Sequence, residues 1–474
     1  MKKITFGTDG WRGLIADDFT YQNVGICGWS IASYIKESLI NERGVIVGYD
    51  TRFGSKEFAI QISNIFLSVG IDTYLVTEPT PTPVITSEVI SRGCDMGIII
   101  TASHNDWKWN GIKLRNSEGL SLDKEELNLI EKKSNARSKD EIIKLYSGKL
   151  KGLLTEISPK DGYLELIRSK LPISEIRKSD IKILNDNMYG TTLGYLESLL
   201  DDSNSSIIVD SINNYINPNF PDIIRPEPIE INLKKISEKM KKEKYEVGFA
   251  FDADGDRLGI IDENGKVLET YEIFLLLLYY MFEINGKRDA VARSLSVSHA
   301  IDTLSANYNV PVLETPIGFK YLSKFLNQKK VMFAGEESGG FGSDQFPDRD
   351  GIINSIYILD LIRQTGLSIS KILDEIKTLV GDRCFVRKDI DFDINRRKEI
   401  NNNIMNIKPK EIYNFGLSYS TDIDGIKHVY NDGSWFLVRI SGTENVVRIY
   451  CESKQEEITE LILNKVIKVI KLIT

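Results

Sequence analysis

The sequence predicts an α/β protein with three similar α/β domains, carrying mixed, mostly parallel sheets, and a smaller C-terminal α+β domain. Three observations predict it. A chain of 474 residues is too long for one core. Short apolar, β-branched runs alternate with helical stretches three times over. After about residue 380 that rhythm stops, and the pattern becomes strand, loop, strand and helix. In the first round the strands are VIVGYD (45–50), DTYLVT (72–77) and MGIII (96–100), with the helical KEFAIQISNIFLSVG between the first two. The second round has IKIL (181–184), SSIIVD (205–210) and YEVGFAF (245–251). The third has AVARSLS (290–296), VPVLET (310–315) and KVMFAG (330–335). Near-continuous apolar strands of this kind are buried on both faces, as in parallel sheets covered by helices. The last segment contains GSWFLVRISGTENVVRIYCES (433–453) and a helix with apolar residues at helical spacing. The expected domains are 1–152, 153–256, 257–380 and 381–474.

Composition excludes several classes. The chain is 42% apolar and 27% charged, with net charge −8 and both signs mixed along its length. No basic surface for nucleic acid is expected. Cys27, Cys94, Cys384 and Cys451 lack any metal-like spacing and read as free thiols of a reducing compartment. The N-terminal MKKITFGTDGWRG has no apolar core of a signal peptide. The longest apolar run, FLLLLYYMF (274–282), is about half of a membrane span and reads as a buried helix. A cytoplasmic enzyme that touches no membrane is expected.

The third strand of each α/β round runs into a polar, Gly-containing loop. Ligands gather at the carboxyl ends of strands in open parallel sheets, so three such ends suggest three walls of one cleft. In DADGDR (252–257), Asp252, Asp254 and Asp256 alternate around a turn at Gly255. Three carboxylates so close repel one another unless a cation neutralises them, and hard oxygen ligands suit Mg²⁺. A calcium loop of the EF-hand type is disfavoured because Arg257 stands where that loop needs glycine.

TASHN (101–105) offers Ser103 beside His104, but sequence neighbours are poorly placed to act as nucleophile and base, and no G-x-S-x-G elbow surrounds them. Alone, the serine reads as a cap or turn residue. Beside a cation it reads as a phosphoryl carrier, which needs no activating base. Lys113, placed in the same loop, is a candidate to move a proton or hold a phosphate, or an ordinary surface lysine. GEESGG (335–340) supplies Glu336 and Ser338, a pair suited to vicinal sugar hydroxyls or to a plain turn. RISGTEN (439–445) groups Arg439, Ser441, Gly442 and Thr443, with Arg448 beyond, as a phosphate nest or a turn with a surface arginine.

Together these motifs resemble the α-D-phosphohexomutases, the phosphoglucomutase and phosphomannomutase superfamily, over the whole chain and in the family's order. FGTDGWRG resembles the amino-terminal signature, TASHN with NGIK the phosphoserine loop, and DADGDR the metal loop. GEESGG resembles the sugar-recognition loop and RISGTEN the phosphate loop. The resemblance implies a heart-shaped, four-domain mutase with a central cleft, Mg²⁺, and a hexose 1,6-bisphosphate intermediate. By position, Ser103 would be phosphorylated and share the metal with Asp252, Asp254 and Asp256. Arg12, His104, Lys113 and Arg257 would surround the transferring group, with Lys113 a candidate proton carrier. Gly318, Glu336, Ser338 and Arg349 would meet the sugar, and Arg439, Ser441, Gly442, Thr443 and Arg448 the other phosphate. The expected substrate is a hexose 1- or 6-phosphate, glucose first and mannose or glucosamine as alternatives, acted on by a monomer or homodimer. A phosphatase or a phosphosugar sensor on the same scaffold is the reading from another class.

The chain departs from the family's pattern in places. Asp106 and Trp109 replace a usual proline and tyrosine. Ile317 stands where many members carry a small or polar residue. Gln345 replaces a histidine, for which Arg349 and His299 are candidate substitutes.

Overall fold

A computed structural model describes residues 3–7, 9–38, 43–136, 150–202, 205–442 and 445–473. Four sheets follow one another along the chain. The first has seven strands in the spatial order Phe6–Gly7, Gly10–Leu14, Trp109–Asn116, Met96–Ile100, Val45–Tyr49, Thr73–Val76 and Leu154–Ile157. Its last four strands are parallel and the others antiparallel. The second orders Leu258–Ile261, Val247–Phe251, Lys182–Asp186 and Ile208–Ile212. The third orders Val312–Thr315, Val291–Ser294, Phe333–Gly335 and Phe341–Ser343. Each of these two has three parallel strands and one antiparallel edge. The fourth is five-stranded and wholly antiparallel, from Cys384–Asp391 through Val446–Ser453, Trp435–Ile440 and Ile426–Tyr430 to Leu417–Thr421.

The antiparallel partners decide where the site lies. In the first three domains the third parallel strand turns back on itself: Met96–Ile100 into Trp109–Asn116, Val247–Phe251 into Leu258–Ile261, and Phe333–Gly335 into Phe341–Ser343. In the fourth, Trp435–Ile440 turns into Val446–Ser453. All four motifs are therefore the turns of β-hairpins, pinned at both ends by ladder hydrogen bonds. This corrects the placement of Lys113, which sits on a strand opposite Ile99 and is 1% exposed. The pattern I-K-L-R (112–115) alternates with period 2, and its charged face is buried toward the cleft rather than solvated.

Sheet membership also moves the expected domain edges. Leu154–Ile157 closes the first sheet beyond residue 152, and Leu258–Ile261 belongs to the second beyond 256, because a strand belongs with whatever supplies its hydrogen-bond partners.

One core unites the second and third domains, where the helices Thr270–Tyr279 and Gly351–Thr365 pack with Phe249, Phe251 and Phe333. The apolar run at 274–282 is buried among them, as a core helix should be. Among the described residues no helix is long and apolar enough to cross a membrane. The first and fourth domains keep cores of their own. In the fourth, Ile462, Val466 and Ile470 on the helix Glu456–Ile473 repeat every four residues against the sheet. That domain docks on the third through Lys427, whose ammonium is buried against Leu295 O (2.9 Å), Glu314 (2.8 Å) and the Trp435 ring (4.4 Å).

Asp350 ties the two central domains. It caps the helix Gly351–Thr365 by accepting from Ile353 N (2.9 Å), and it accepts from the Tyr163 hydroxyl at 2.6 Å. Burial pushes its carboxyl up to about 7. A raised carboxyl contributes stability that is complete below its unfolded value near 4 and is lost as pH rises through 7, about 1.4 kcal/mol per unit of separation. Asp350→Asn keeps the cap to Ile353 N without the charge, while its Nδ2 donates to the Tyr163 oxygen instead of accepting from it. Urea titrations should show the variant gaining on wild type between pH 4 and 7; a pH-independent difference would assign the carboxyl an ordinary titration.

Candidate active site

Ser103 lies at the first turn of the phosphoserine-like loop, 2% exposed, in the left-handed region at φ 52°. Its N–H donates to Thr101 Oγ1 (2.8 Å), and its hydroxyl donates to Asp252 Oδ2 at 3.0 Å. Residues 149 apart in sequence are thereby in contact. Asp106 closes the far side of the loop by accepting from Lys108 N (2.9 Å). His104 presents a buried Nδ1 with no hydrogen-bond partner among the described residues. Burial, followed by the charges of Arg257, Arg12, Arg225 and Lys113, holds its imidazole well below the usual range, so the ring is neutral. Arg12 donates to Asn105 Oδ1 at 2.6 Å, on the cleft side of the same loop.

The second hairpin turn brings oxygens of Asp252, Asp254 and Asp256 within 4.8 Å of one another. Gly255 takes φ 71°, and a Cβ there would meet Thr192 at 2.8 Å, so the turn needs glycine. Lys113 spans the trio at 2.6 Å from Asp254 and 2.7 Å from Asp256, and stands 3.4 Å from Asp9. Burial opposes its charge, but Asp254, Asp256 and Asp9 outweigh burial and hold the ammonium protonated above its ordinary range. Burial also opposes ionisation of Asp254, yet Lys113 and Thr82 (2.6 Å) keep it ionised below the usual carboxylate range. Asp252 goes the other way: burial, then Asp256 and Asp254, push it well up. Lys113 does not satisfy every oxygen of this cluster. Asp254 Oδ1 and Asp256 Oδ1 are buried with no donor among the described residues, and the Ser103 hydroxyl sits beside Asp252. Hard, dry, anionic oxygens left without donors fit a small divalent cation.

Arg349 joins the walls. Its Nη2 meets Asp9 (2.6 Å) and Asp256 (2.8 Å), and its Nη1 meets Glu336 Oε1 (3.1 Å), which also accepts from Ser338 Oγ (2.7 Å). Gly340 makes room for it, since a side chain there would run into the arginine stem. Arg257 is anchored by Glu227 at 2.8 Å. From the fourth domain, Arg387 reaches Glu337 at 3.1 Å. All four domains thus line one cleft, with Arg12 and His104, Arg225 and Arg257, Gly318 and Lys320, and Arg387 and Arg448 on successive walls.

The phosphate-loop residues divide. Arg448 lines the main cleft, and Gly442 lines an adjoining recess with Arg12 and His104. Arg439 instead pairs with Asp424 (3.2 and 3.3 Å), which also accepts from Ile317 N (3.2 Å) beside Gly318. Ser441 is buried, its carbonyl accepting from Arg397 (2.6 Å). Thr443 lies outside the described residues. Of the two candidate substitutes for the missing histidine, Arg349 is in the cleft. His299 is not: its ring packs on Trp435 at the boundary of the third and fourth domains. Gln345 is also elsewhere, its carbonyl taking Lys170 across an outer groove.

Sequence reading missed Asp9, Arg115, Arg225, Glu227, Lys320, Arg387 and Asp424. Asp9 stands inside the amino-terminal motif already singled out, and its carboxylate, although buried, is held well below its usual range by Arg115, Lys113 and Arg349. The others sit in unremarkable sequence, and only convergence of the walls shows them.

Sequence profiles for the four domains of phosphoglucomutase/phosphomannomutase match in order: alpha/beta/alpha domain I at 3–141, domain II at 161–265, domain III at 269–387 and the C-terminal domain at 394–469. The chain is 29% identical over 461 residues to a phosphoglucomutase/phosphomannomutase of Thermococcus kodakarensis, covering 95% of each. It is 28% identical over 477 residues to a phosphoglucosamine/phosphogalactosamine mutase of Sulfurisphaera tokodaii, covering 98% of this chain and 99% of the relative. A crystal structure of a phosphomannomutase-like protein from Thermus thermophilus superposes with TM-score 0.85 at 26% identity, over 99% of both chains. With four domains in register and a hydroxyl seated on an acidic trio, the chain belongs to the phosphoglucomutase/phosphomannomutase family of phosphohexomutases.

Proposed function

We propose that this mutase interconverts hexose 1-phosphate and hexose 6-phosphate through a phosphorylated Ser103. The observation that carries the reading is the Ser103 hydroxyl, 3.0 Å from Asp252 in a cluster whose buried oxygens lack donors among the described residues, beside a cleft lined with arginines. In the first half-reaction the P–O bond to Ser103 breaks as a bond forms to the free hydroxyl of the sugar, giving a hexose 1,6-bisphosphate. The hydroxyl proton passes to a base. After the bisphosphate turns over, the phosphate first attached returns to Ser103.

Asp252, Asp254, Asp256 and the Ser103 oxygen would hold Mg²⁺, which offsets charge on the transferring group when bound. Lys113, 2.6 Å from Asp254 and 2.7 Å from Asp256, supplies positive charge at that point. His104, whose buried Nδ1 has no hydrogen-bond partner among the described residues, is a second candidate acceptor for the proton. Arg12 and Arg257 flank the transferring group. Glu336, steadied by Arg349 and Ser338, faces the sugar with Gly318. Arg439, Ser441, Gly442, Thr443 and Arg448 bind the spectator phosphate, and Arg439 must exchange Asp424 for it.

Glucose was the first expectation for the sugar. The relatives' names favour a wider reading, in which mannose and amino-sugar phosphates stand level with glucose or ahead of it. The test is ³¹P NMR of the protein with Mg²⁺, a bisphosphate primer and, in turn, glucose, mannose, glucosamine and N-acetylglucosamine 1-phosphates. The expected result is a 6-phosphate signal for at least one sugar without growth of inorganic phosphate. Stoichiometric phosphate release would establish a phosphatase instead, and no turnover of any sugar would leave a binding protein.

A further inference from the structure

Arg52 follows the strand Val45–Tyr49, and its side chain is wholly buried, away from the cleft wall. Its guanidinium has five N–H donors, and every one is used. Nε meets Asp50 at 3.0 Å. Nη1 donates to the carbonyls of Asp106 (2.6 Å) and Trp109 (3.1 Å), and Nη2 to those of Ser103 and Asn105 (2.6 Å). Four carbonyls between Ser103 and Trp109 thus point inward at a single cation. Asp50 is itself fixed by Arg52 N (2.9 Å) and Ser55 Oγ (2.8 Å), and the Phe220 ring of the second domain lies over the guanidinium at 5.1 Å.

This arrangement bears on the loop's backbone. Serine disfavours the left-handed region that Ser103 occupies, so surrounding structure must enforce it. In that conformation the Ser103 hydroxyl meets Asp252, and Arg52 Nη2 restrains the same residue by a charge-assisted hydrogen bond donated to Ser103 O. Backbone carbonyls facing inward need donors. Without Arg52 four of them would turn toward water and take the serine with them.

We propose that Arg52 is the positioning residue of phosphoryl transfer: it gathers the Ser103–Trp109 carbonyls so that the Ser103 oxygen stands in line for either end of the sugar. This rests on the reading of Ser103 as the phosphoryl carrier. Arg52 touches no reacting atom, so it acts on kcat and leaves binding by the third and fourth domains intact.

Arg52→Met keeps the stem and removes all five donors. Arg52→Lys keeps the charge but cannot fork to four carbonyls. Arg52→Met should lower kcat by about 100-fold, the cost of an ångström-scale misplacement, with KM for the sugar phosphate within about twofold. Arg52→Lys should recover part of that loss. Hydrogen exchange read by mass spectrometry should quicken at 101–109 and stay unchanged in the other three domains. If Arg52→Met does not fold, Arg52→Lys carries both measurements. Wild-type kcat in a folded variant, a loss confined to KM, or unchanged exchange at 101–109 would each overturn the proposal. Ser103→Ala run alongside separates the failures: full turnover there sinks the carrier reading, whereas an inactive Ser103→Ala with an unaffected Arg52→Met sinks only the role of Arg52.

Discussion

Ser103→Ala is expected to abolish mutase turnover, by roughly 10⁴- to 10⁶-fold, the scale of removing a nucleophile that passes through a covalent intermediate. The protein should stay folded, because the substitution removes a single hydrogen bond, to Asp252, worth about 1 kcal/mol. The pairing of those two outcomes matters. Loss of activity with an unchanged unfolding midpoint isolates the hydroxyl's chemistry, whereas activity lost through unfolding would not. Turnover by ³¹P NMR, intact mass before and after exposure to a hexose 1,6-bisphosphate, and urea unfolding together decide it. A gain of one phosphoryl mass in wild type, absent from the alanine variant, is the expected signature. An alanine variant that turns over at the wild-type rate would remove Ser103 from the mechanism.

Lys113→Met should have the largest effect on stability. The ammonium is buried between Asp254, Asp256 and Asp9, and taking one partner from a buried ionic group typically costs about 3–5 kcal/mol. The carboxylates left behind cannot all remain ionised, so they take up protons, and the penalty grows as pH rises. Urea unfolding in EDTA should show the loss. Added Mg²⁺ should recover part of it, since an ion that binds only the native state stabilises it in proportion to the logarithm of its concentration. Turnover should fall as well, through the missing fixed charge beside the transferring group. Unchanged stability in EDTA would mean that other donors, Arg349 first, balance the trio without Lys113.

The alternation of strands and helices was legible because parallel strands buried on both faces carry uninterrupted apolar runs, as MGIII and VGFAF do. The returning strands were harder to read. Phe341–Ser343 is three residues long, and the segment around Lys113 and Arg115 carries charges on its buried face, so neither looks like a core strand. Polar clusters stood out in sequence where they punctuate an apolar run, which is why Ser103, Asp252, Asp254, Asp256 and Glu336 were named. Arg52 and Asp424 gave no such signal, since an arginine in a turn looks solvated until the loop that covers it is in place.

By itself the sequence determined the class of domain, the order of the four motifs and the residue types that each presents, because these depend on local periodicity and composition. Tertiary structure alone decided that the motifs are hairpin turns facing one cleft. It also decided that Lys113 is a buried ion-pair partner of the aspartates rather than a surface lysine, that Arg349 rather than His299 reaches the site, and that Arg439 is held by Asp424. The physical reason is range. Hydrogen bonds and ion pairs act over a few ångströms, and only the packed sheets bring groups one to three hundred residues apart within that distance.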